Sequence, residues 1–172
     1  MAALRLGDSA PAFELPGVDG ATHGLSDHEG KPVAVVFSCC HCPYVVAWED
    51  RLNEAARDFA GRAGFVAVNS NAGYLGDSQE DMRRRAEDKG FVFPFLYDET
   101  QEVARAYGAA RTPEVFVFGA DHRLVYHGAP DSDHTDPAGA EPYLRPALEA
   151  AVAGTQPAVQ ETPPVGCTVK WR

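Results

Sequence analysis

"FSCCHCPYV", residues Phe37 to Val45, decides how the rest of the chain is read. Three of the four cysteines fall within four positions, His41 lies among them and Pro43 closes the run. Before the cluster, "PVAVVFS" (residues 32–38) is a short apolar, β-branched run of the kind that forms a buried strand in a parallel sheet. After it, Val45, Val46, Leu52, Ala56 and Phe59 recur at roughly helical spacing among charges, from Pro43 to about Ala60. Proline suits the first turn of a helix, where its missing N–H costs nothing. The cysteines are therefore expected at a strand-to-helix junction.

The alternation continues outward. "GFVAVNSN" (64–71) predicts a second strand, and "DSQEDMRRRAEDKG" a helix capped by Asp77 or Ser78 and stopped by Gly90. "FVFPFLYD" predicts a third strand, "ETQEVARAYG" a short helix ending at Gly108, and "EVFVFGADHRLVYHG" an antiparallel hairpin. "AEPYLRPALEAAVAG" reads as a closing helix with Pro146 in its first turn or at a kink. Upstream, "AFELPGVDGATHGL" reads as a small hairpin. The expected architecture is α/β, a central mixed sheet with helices on both faces, in one domain over residues 1–154. Residues 155–172 form a proline-rich tail, which composition alone would leave unstructured. Its "VGCTVKW" carries apolar residues that a solvated tail does not need, so docking through Val169 or Trp171 is expected. In that arrangement Cys167 is read as a packing residue, the alternative being a bond to Cys40 or Cys42 during turnover.

The 172 residues suffice for one sizeable core, and 45% hydrophobic with 23% charged residues is an ordinary globular balance. A formal net charge of -10 argues against a nucleic-acid partner, which needs a basic face. No apolar run is long enough for a signal peptide or a membrane span, so the expected compartment is cytoplasmic, with no membrane partner. There, clustered cysteines bind metal or do redox work more often than they staple a fold.

Cys39 and Cys42 have C-x-x-C spacing. At a helix amino terminus the first cysteine would face unpaired N–H groups and the positive end of the dipole, both favouring thiolate. The second lies one turn on, within reach of a disulfide. An attacking thiolate and a thiol that resolves the mixed disulfide are what thiol–disulfide exchange requires. His41 adds a positive charge beside Cys39 and lowers its pKa further. A metal held by Cys39, Cys42 and His41 is the competing chemistry, but structural zinc normally asks for a second ligand pair and none recurs. The bland reading, a buried thiol acting as a small hydrophobe, suits Cys40. No cofactor is implied. "DSDHTD" (131–136) reads as a solvated loop rather than a cation site, "RRR" (83–85) as an exposed helix face, and Trp48 and Trp171 as packing residues. Glu49 and Asp50 are candidate proton acceptors for the cysteine pair. The isomer of the Thr112–Pro113 bond, just before a strand, is left open by spacing alone.

C-x-x-C at such a junction together with Thr-Pro before a later strand resembles the thioredoxin superfamily. "GDSAPAFELPGVDGATHGLSDHEGK" resembles the opening of peroxiredoxins and of related thioredoxin-like reductases. "CCHCPYV", "EDRL", "YDETQEVARAYGA", "TPEVFVF" and "PVGCTVKW" together resemble a peroxiredoxin-like, AhpC/TSA-related subfamily whose usual motif is C-N-H-C-P. The resemblance covers essentially the whole chain. It implies a thioredoxin-like fold with an amino-terminal hairpin and a docked tail. It also implies a cis Pro113 against the Cys39–Cys42 pair, leaving Thr112 to pair with substrate backbone. Three residues depart from the pattern: Ser38 replaces the tryptophan of thioredoxins, Cys40 replaces asparagine, and Arg111 stands where a cysteine is expected.

The function this implies is thiol–disulfide oxidoreduction, with Cys39 attacking, Cys42 resolving, His41 tuning and Pro113 shaping the substrate groove. The alternative is a thiol peroxidase using Cys42, with Cys39 or Cys167 resolving and Arg111 assisting. A metal-binding or redox-sensing module without turnover is the third reading. Implied partners are a disulfide or peroxide substrate and a thiol reductant, either a thioredoxin or a low-molecular-weight thiol.

Overall fold

The computed structural model describes residues 3–172; the first two residues of the expected domain lie outside the described residues. A hairpin of β1 (Glu14–Pro16) and β2 (Thr22–Gly24) opens the chain, and a 3-10 turn over Leu25–His28 leads into β3 (Val33–Ser38). Then follow α1 (Pro43–Asp58), β4 (Gly64–Asn69), α2 (Gln79–Lys89), β5 (Phe95–Tyr97) and α3 (Glu102–Tyr107). The two-residue β6 (Arg111–Thr112) precedes the hairpin β7 (Glu114–Phe118) and β8 (Leu124–Gly128), then α4 (Leu144–Ala153) and β9 (Cys167–Thr168).

Five strands form the central sheet in the order β5-β4-β3-β7-β8. β3–β4 and β4–β5 run parallel, while β3–β7 and β7–β8 run antiparallel. β3 is central and buried throughout, as its unbroken apolar run requires. Its period of two splits the core. Ala34 and Val36 pack with Trp48 and Leu52 of α1, Met82 of α2 and Leu148 of α4. Val33, Val35 and Phe37 pack on the other face with Val103, Ala104 and Tyr107 of α3. Each fully buried Val, Leu, Phe or Met side chain among them contributes roughly 1.5–3 kcal/mol. α2 is closed by local chemistry: Ser78 Oγ accepts the Asp81 N–H at 3.1 Å, Asp81 accepts the Ser78 N–H at 3.0 Å, and Gly90 takes the left-handed conformation.

The third strand is shorter than "FVFPFLYD" predicts. Pro94 has no N–H for a ladder; its carbonyl accepts from Ala67 at 3.0 Å, and Phe91 and Phe93 serve as core residues ahead of β5.

The tail runs against the domain along its length. Gln160 and Thr162 exchange backbone bonds with His127 of β8, and Thr162 Oγ1 accepts the Ala129 N–H at 3.0 Å. Gly128 lets Thr162 come this close, since a Cβ there would lie 2.5 Å from the Thr162 carbonyl oxygen. Further on, β9 pairs antiparallel with β6, placing Cys167 opposite Thr112 and Thr168 opposite Arg111. Val169 is buried and donates to Ala110 O at 2.9 Å, whereas Trp171 is 46% exposed and lies against the Arg105 guanidinium. Gln101, fully buried, donates to Lys170 O at 2.7 Å and accepts from Arg172 N at 3.1 Å. Backbone N–H groups of Thr162, Val169, Lys170 and Arg172 all donate to the domain and hold the segment to it.

Candidate active site

The end of β3, the start of α1 and the β6–β9 pair converge on three sulfurs. α1 begins at Pro43, with Cys42 at its cap position, so Cys42 rather than Cys39 stands at the helix amino terminus. The Cys42 Sγ lies 2.7 Å from Cys167 Sγ and 3.2 Å from the Thr112 carbonyl oxygen. Cys39 Sγ lies 3.6 Å from Thr112 Oγ1. All four cysteines are free thiols, and Cys39, Cys42 and Val45 form a small buried cluster with Tyr44 and Cys167 packed on it. The Thr112–Pro113 bond is cis.

Hydrogen bonding makes the sulfurs unequal. Cys42 is held well below the ordinary thiol range, first by its hydrogen bond from Cys39 and then by that from Cys167, against the opposing effect of burial. Cys39 is pushed up, by the same bond to Cys42 and by burial. Cys167 rises to about 11 through burial and its contact with Cys42. The lowering expected at Cys39 falls instead on Cys42, which receives the hydrogen bond between the two sulfurs while Cys39 gives it. Cys40 is raised mainly by burial and packs into the large core with Trp48, as a small hydrophobe.

Two buried carboxylates hold the loops that carry these groups. Asp77 Oδ1 accepts the Cys40 N–H at 2.7 Å and Asn69 Nδ2–H at 3.0 Å. Of Asp77 and Ser78, the two caps the sequence offers for α2, Ser78 takes the role, and the Asp77 carboxylate serves the cysteine loop. His41 points to the outside, more than half exposed, with Nδ1 3.6 Å from Asp77 Oδ2, and so faces a carboxylate. Glu114 Oε1 accepts the N–H groups of Ala110 and Arg111, each at 2.9 Å, and its Oε2 takes a 2.6 Å bond from His127 Nε2. An acid at the head of the apolar "EVFVF" is the one sequence signal for this role.

Other expectations resolve differently. The Arg111 guanidinium donates to Gly166 O at 3.3 Å and so secures the tail. Glu49 is buried and paired with Arg85, which takes Arg85 out of the exposed "RRR" face; Asp50 pairs with Lys89 at 3.0 Å. Asp131 is not solvated: it accepts from Trp48 Nε1 at 2.8 Å and from Arg51 at 2.6 Å. Cys167, read as a packing residue, packs on the Cys39–Cys42 cluster with its Sγ 2.7 Å from that of Cys42. The Thr112 edge, expected to be open to substrate backbone, is occupied by Cys167 of the chain's own tail. A cleft of about 170 Å³ remains beside the sulfurs, lined among others by His41, Tyr74, Leu75 and Lys170.

Residues 6–127 match the AhpC/TSA family. A Mycobacterium tuberculosis protein bearing a provisional peroxiredoxin name is 35% identical over 108 residues, which are 62% of this chain and 65% of that protein. This chain thus spans just under two thirds of that relative's length. The thiol-disulfide oxidoreductase ResA of Geobacillus thermodenitrificans is 28% identical over 123 residues, 71% of this chain and 68% of its own. Among solved structures, an uncharacterised conserved protein of Geobacillus kaustophilus superposes with a TM-score of 0.89 at 39% identity, covering 98% of this chain and 93% of its own. The thioredoxin domain of a Bacteroides vulgatus thiol-disulfide oxidoreductase superposes with a TM-score of 0.70 at 19% identity, covering 87% of this chain and 99% of its own; the fold is thioredoxin-like, and the chain belongs to the AhpC/TSA family.

Proposed function

We propose that this protein is a thiol–disulfide oxidoreductase in which Cys42 attacks and Cys39 completes the internal disulfide. The observation that carries this reading is the position of Cys42 Sγ, at the start of α1 and flanked by thiols that stabilise its thiolate. The relative named as a thiol-disulfide oxidoreductase supports it. In the reaction, Cys42 thiolate attacks one sulfur of a substrate disulfide, forming a mixed disulfide and releasing one substrate thiolate. Cys39 loses its proton and attacks Cys42 Sγ, giving Cys39–Cys42 and the second substrate thiolate. Two electrons pass to the substrate, and an external thiol reductant restores the enzyme. Thr112 brackets both sulfurs, through its hydroxyl at Cys39 and its carbonyl at Cys42.

The test is trapping with oxidised glutathione. In a Cys39→Ser/Cys167→Ser double variant, a stable glutathione adduct is expected on Cys42. If Cys42→Ser/Cys167→Ser instead traps the adduct on Cys39 as fast, the attack belongs to Cys39.

A second reading, thiol peroxidase, is favoured by the same lowered Cys42 thiol and by the peroxiredoxin name of one relative. Cys42 thiolate would take one oxygen from a hydroperoxide to give sulfenic acid and an alcohol or water, and Cys39 would then displace water to form the disulfide. Hydrogen peroxide consumption by the reduced protein, with Cys42→Ser as control, separates the two.

A further inference from the structure

We infer that Cys42 and Cys167 form a second redox disulfide, reached from Cys39–Cys42 by internal exchange, which fastens β9 over the Thr112 edge. The inference rests on the oxidoreductase reading, since that activity supplies the Cys39–Cys42 bond. Its geometric basis is the Sγ–Sγ separation of 2.7 Å between Cys42 and Cys167, against about 2.0 Å in a disulfide. This is not a chance approach of a loose end. Cys167 is set in register by β6–β9 pairing, by the Val169 N–H on Ala110 O, by Asn71 Oδ1 on the Lys170 N–H at 2.9 Å, and by Gln101 on both sides of Trp171.

The residue before it is part of the same design. Gly166 passes over the Thr112–Pro113 peptide so closely that a Cβ would lie 2.0 Å from the Thr112 carbonyl oxygen and 3.2 Å from Pro113 N. Only glycine lets the tail descend far enough for Cys167 to meet Cys42. Arg111 holds the Gly166 carbonyl from the other strand.

The exchange needs no further oxidant. Cys167 gives up its proton to solvent, and its thiolate attacks Cys42 Sγ in the Cys39–Cys42 disulfide. The Cys42–Cys167 bond forms, the Cys39–Cys42 bond breaks, and its electron pair leaves on Cys39, which takes up a proton beside the Thr112 hydroxyl. No net electrons move. The high value of Cys167 makes the step faster as pH rises toward 11. In the product, the strand that occupies the Thr112 edge is covalently tied, so an extended polypeptide cannot replace it. The thiol that reduces the bond must then enter by the small cleft beside the sulfurs.

The experiment uses the full chain with oxidised glutathione as the probe. In Cys39→Ser, an internal Cys42–Cys167 bond is expected by peptide mapping, with the glutathione adduct only transient. A lasting adduct on Cys42 with Cys167 still alkylatable overturns the inference and leaves the oxidoreductase reading standing. No reaction at Cys42 overturns that reading, and the inference with it. In the wild type, both Cys39–Cys42 and Cys42–Cys167 are expected, and Gly166→Ala should shift the ratio about tenfold toward Cys39–Cys42 by weakening the β6–β9 pairing. An unchanged ratio in a folded Gly166→Ala protein also overturns the inference.

Discussion

Asp77 holds the loop that carries the cysteines, and Glu114 holds the loop that carries Thr112 and Pro113. Both are carboxylates buried to within 1% exposure, and both accept backbone N–H groups. They differ in what stands behind them. Asp77 looks out toward His41, whose ring is more than half exposed at 3.6 Å. Glu114 is closed by His127, itself buried, at 2.6 Å. An exposed partner is screened by water and contributes little, whereas a buried pair is costly to break because removing one member strands the other. The cysteine side is thus electrically adjustable at a buried carboxylate, while the proline side is insulated. The Asp77 charge adds to the bond with Cys42 and burial in raising Cys39, and to burial in raising Cys40.

The largest effect expected is at Glu114. Glu114→Ala removes the acceptor of two N–H groups and the partner of His127, and should cost about 3–5 kcal/mol in denaturant unfolding. Glu114→Gln keeps an acceptor for both N–H groups and should cost clearly less. Equal losses in the two variants would mean that the pairing with His127, not the loop bonds, is what Glu114 supplies.

Next in size is the reactivity of Cys42. An ordinary thiol, with a pKa of about 8.5, slows more than about a hundredfold in alkylation when pH falls from 8.5 to 6. Cys42 should slow far less, since its folded value is depressed. The sign for stability follows: the contribution of Cys42 is complete above the unfolded value near 8.5 and is lost as pH falls through the lower folded value. Iodoacetamide labelling with peptide mapping across this range is the measurement. A titration of Cys42 like that of a free thiol would remove the distinction between it and Cys39.

Asp77→Ala should cost about 1–3 kcal/mol, because the Cys40 N–H and Asn69 Nδ2 lose their acceptor. Asp77→Asn sharpens the contrast between the loops. Removing the charge should lower the Cys39 and Cys40 pKa values and speed their alkylation, while Glu114→Gln leaves both rates unchanged. The smallest effect is expected at His41. His41→Ala should change stability by no more than about 1 kcal/mol, as an exposed ion pair does. It should also leave Cys42 labelling close to wild type, contrary to the role of tuner that its position in the motif suggests.

Much of this was legible in the chain. "PVAVVFS" followed by the helical spacing after Pro43 placed the cysteines at a strand-to-helix junction, because strand and helix periodicities are local properties of sequence. Ser78, Gly90 and Gly108 marked helix ends for the same local reason. Which cysteine receives the helix terminus and its neighbours' hydrogen bonds was not local. It depended on where α1 begins and on Cys167, which lies 125 residues from Cys42.

The sequence by itself determined the order and kind of the main elements, the clustering of three thiols and the proximity of a Thr-Pro pair to a strand. Only the tertiary structure decided that Cys167 reaches Cys42 across 125 residues, that Asp77 and Glu114 are loop anchors, and that the tail covers the Thr112 edge. The physical reason is common to all three. A proline-rich tail and a lone acid carry no periodicity of their own, and their bonds are made to backbone groups that other elements leave unpaired, in places set only when the sheet and helices have packed.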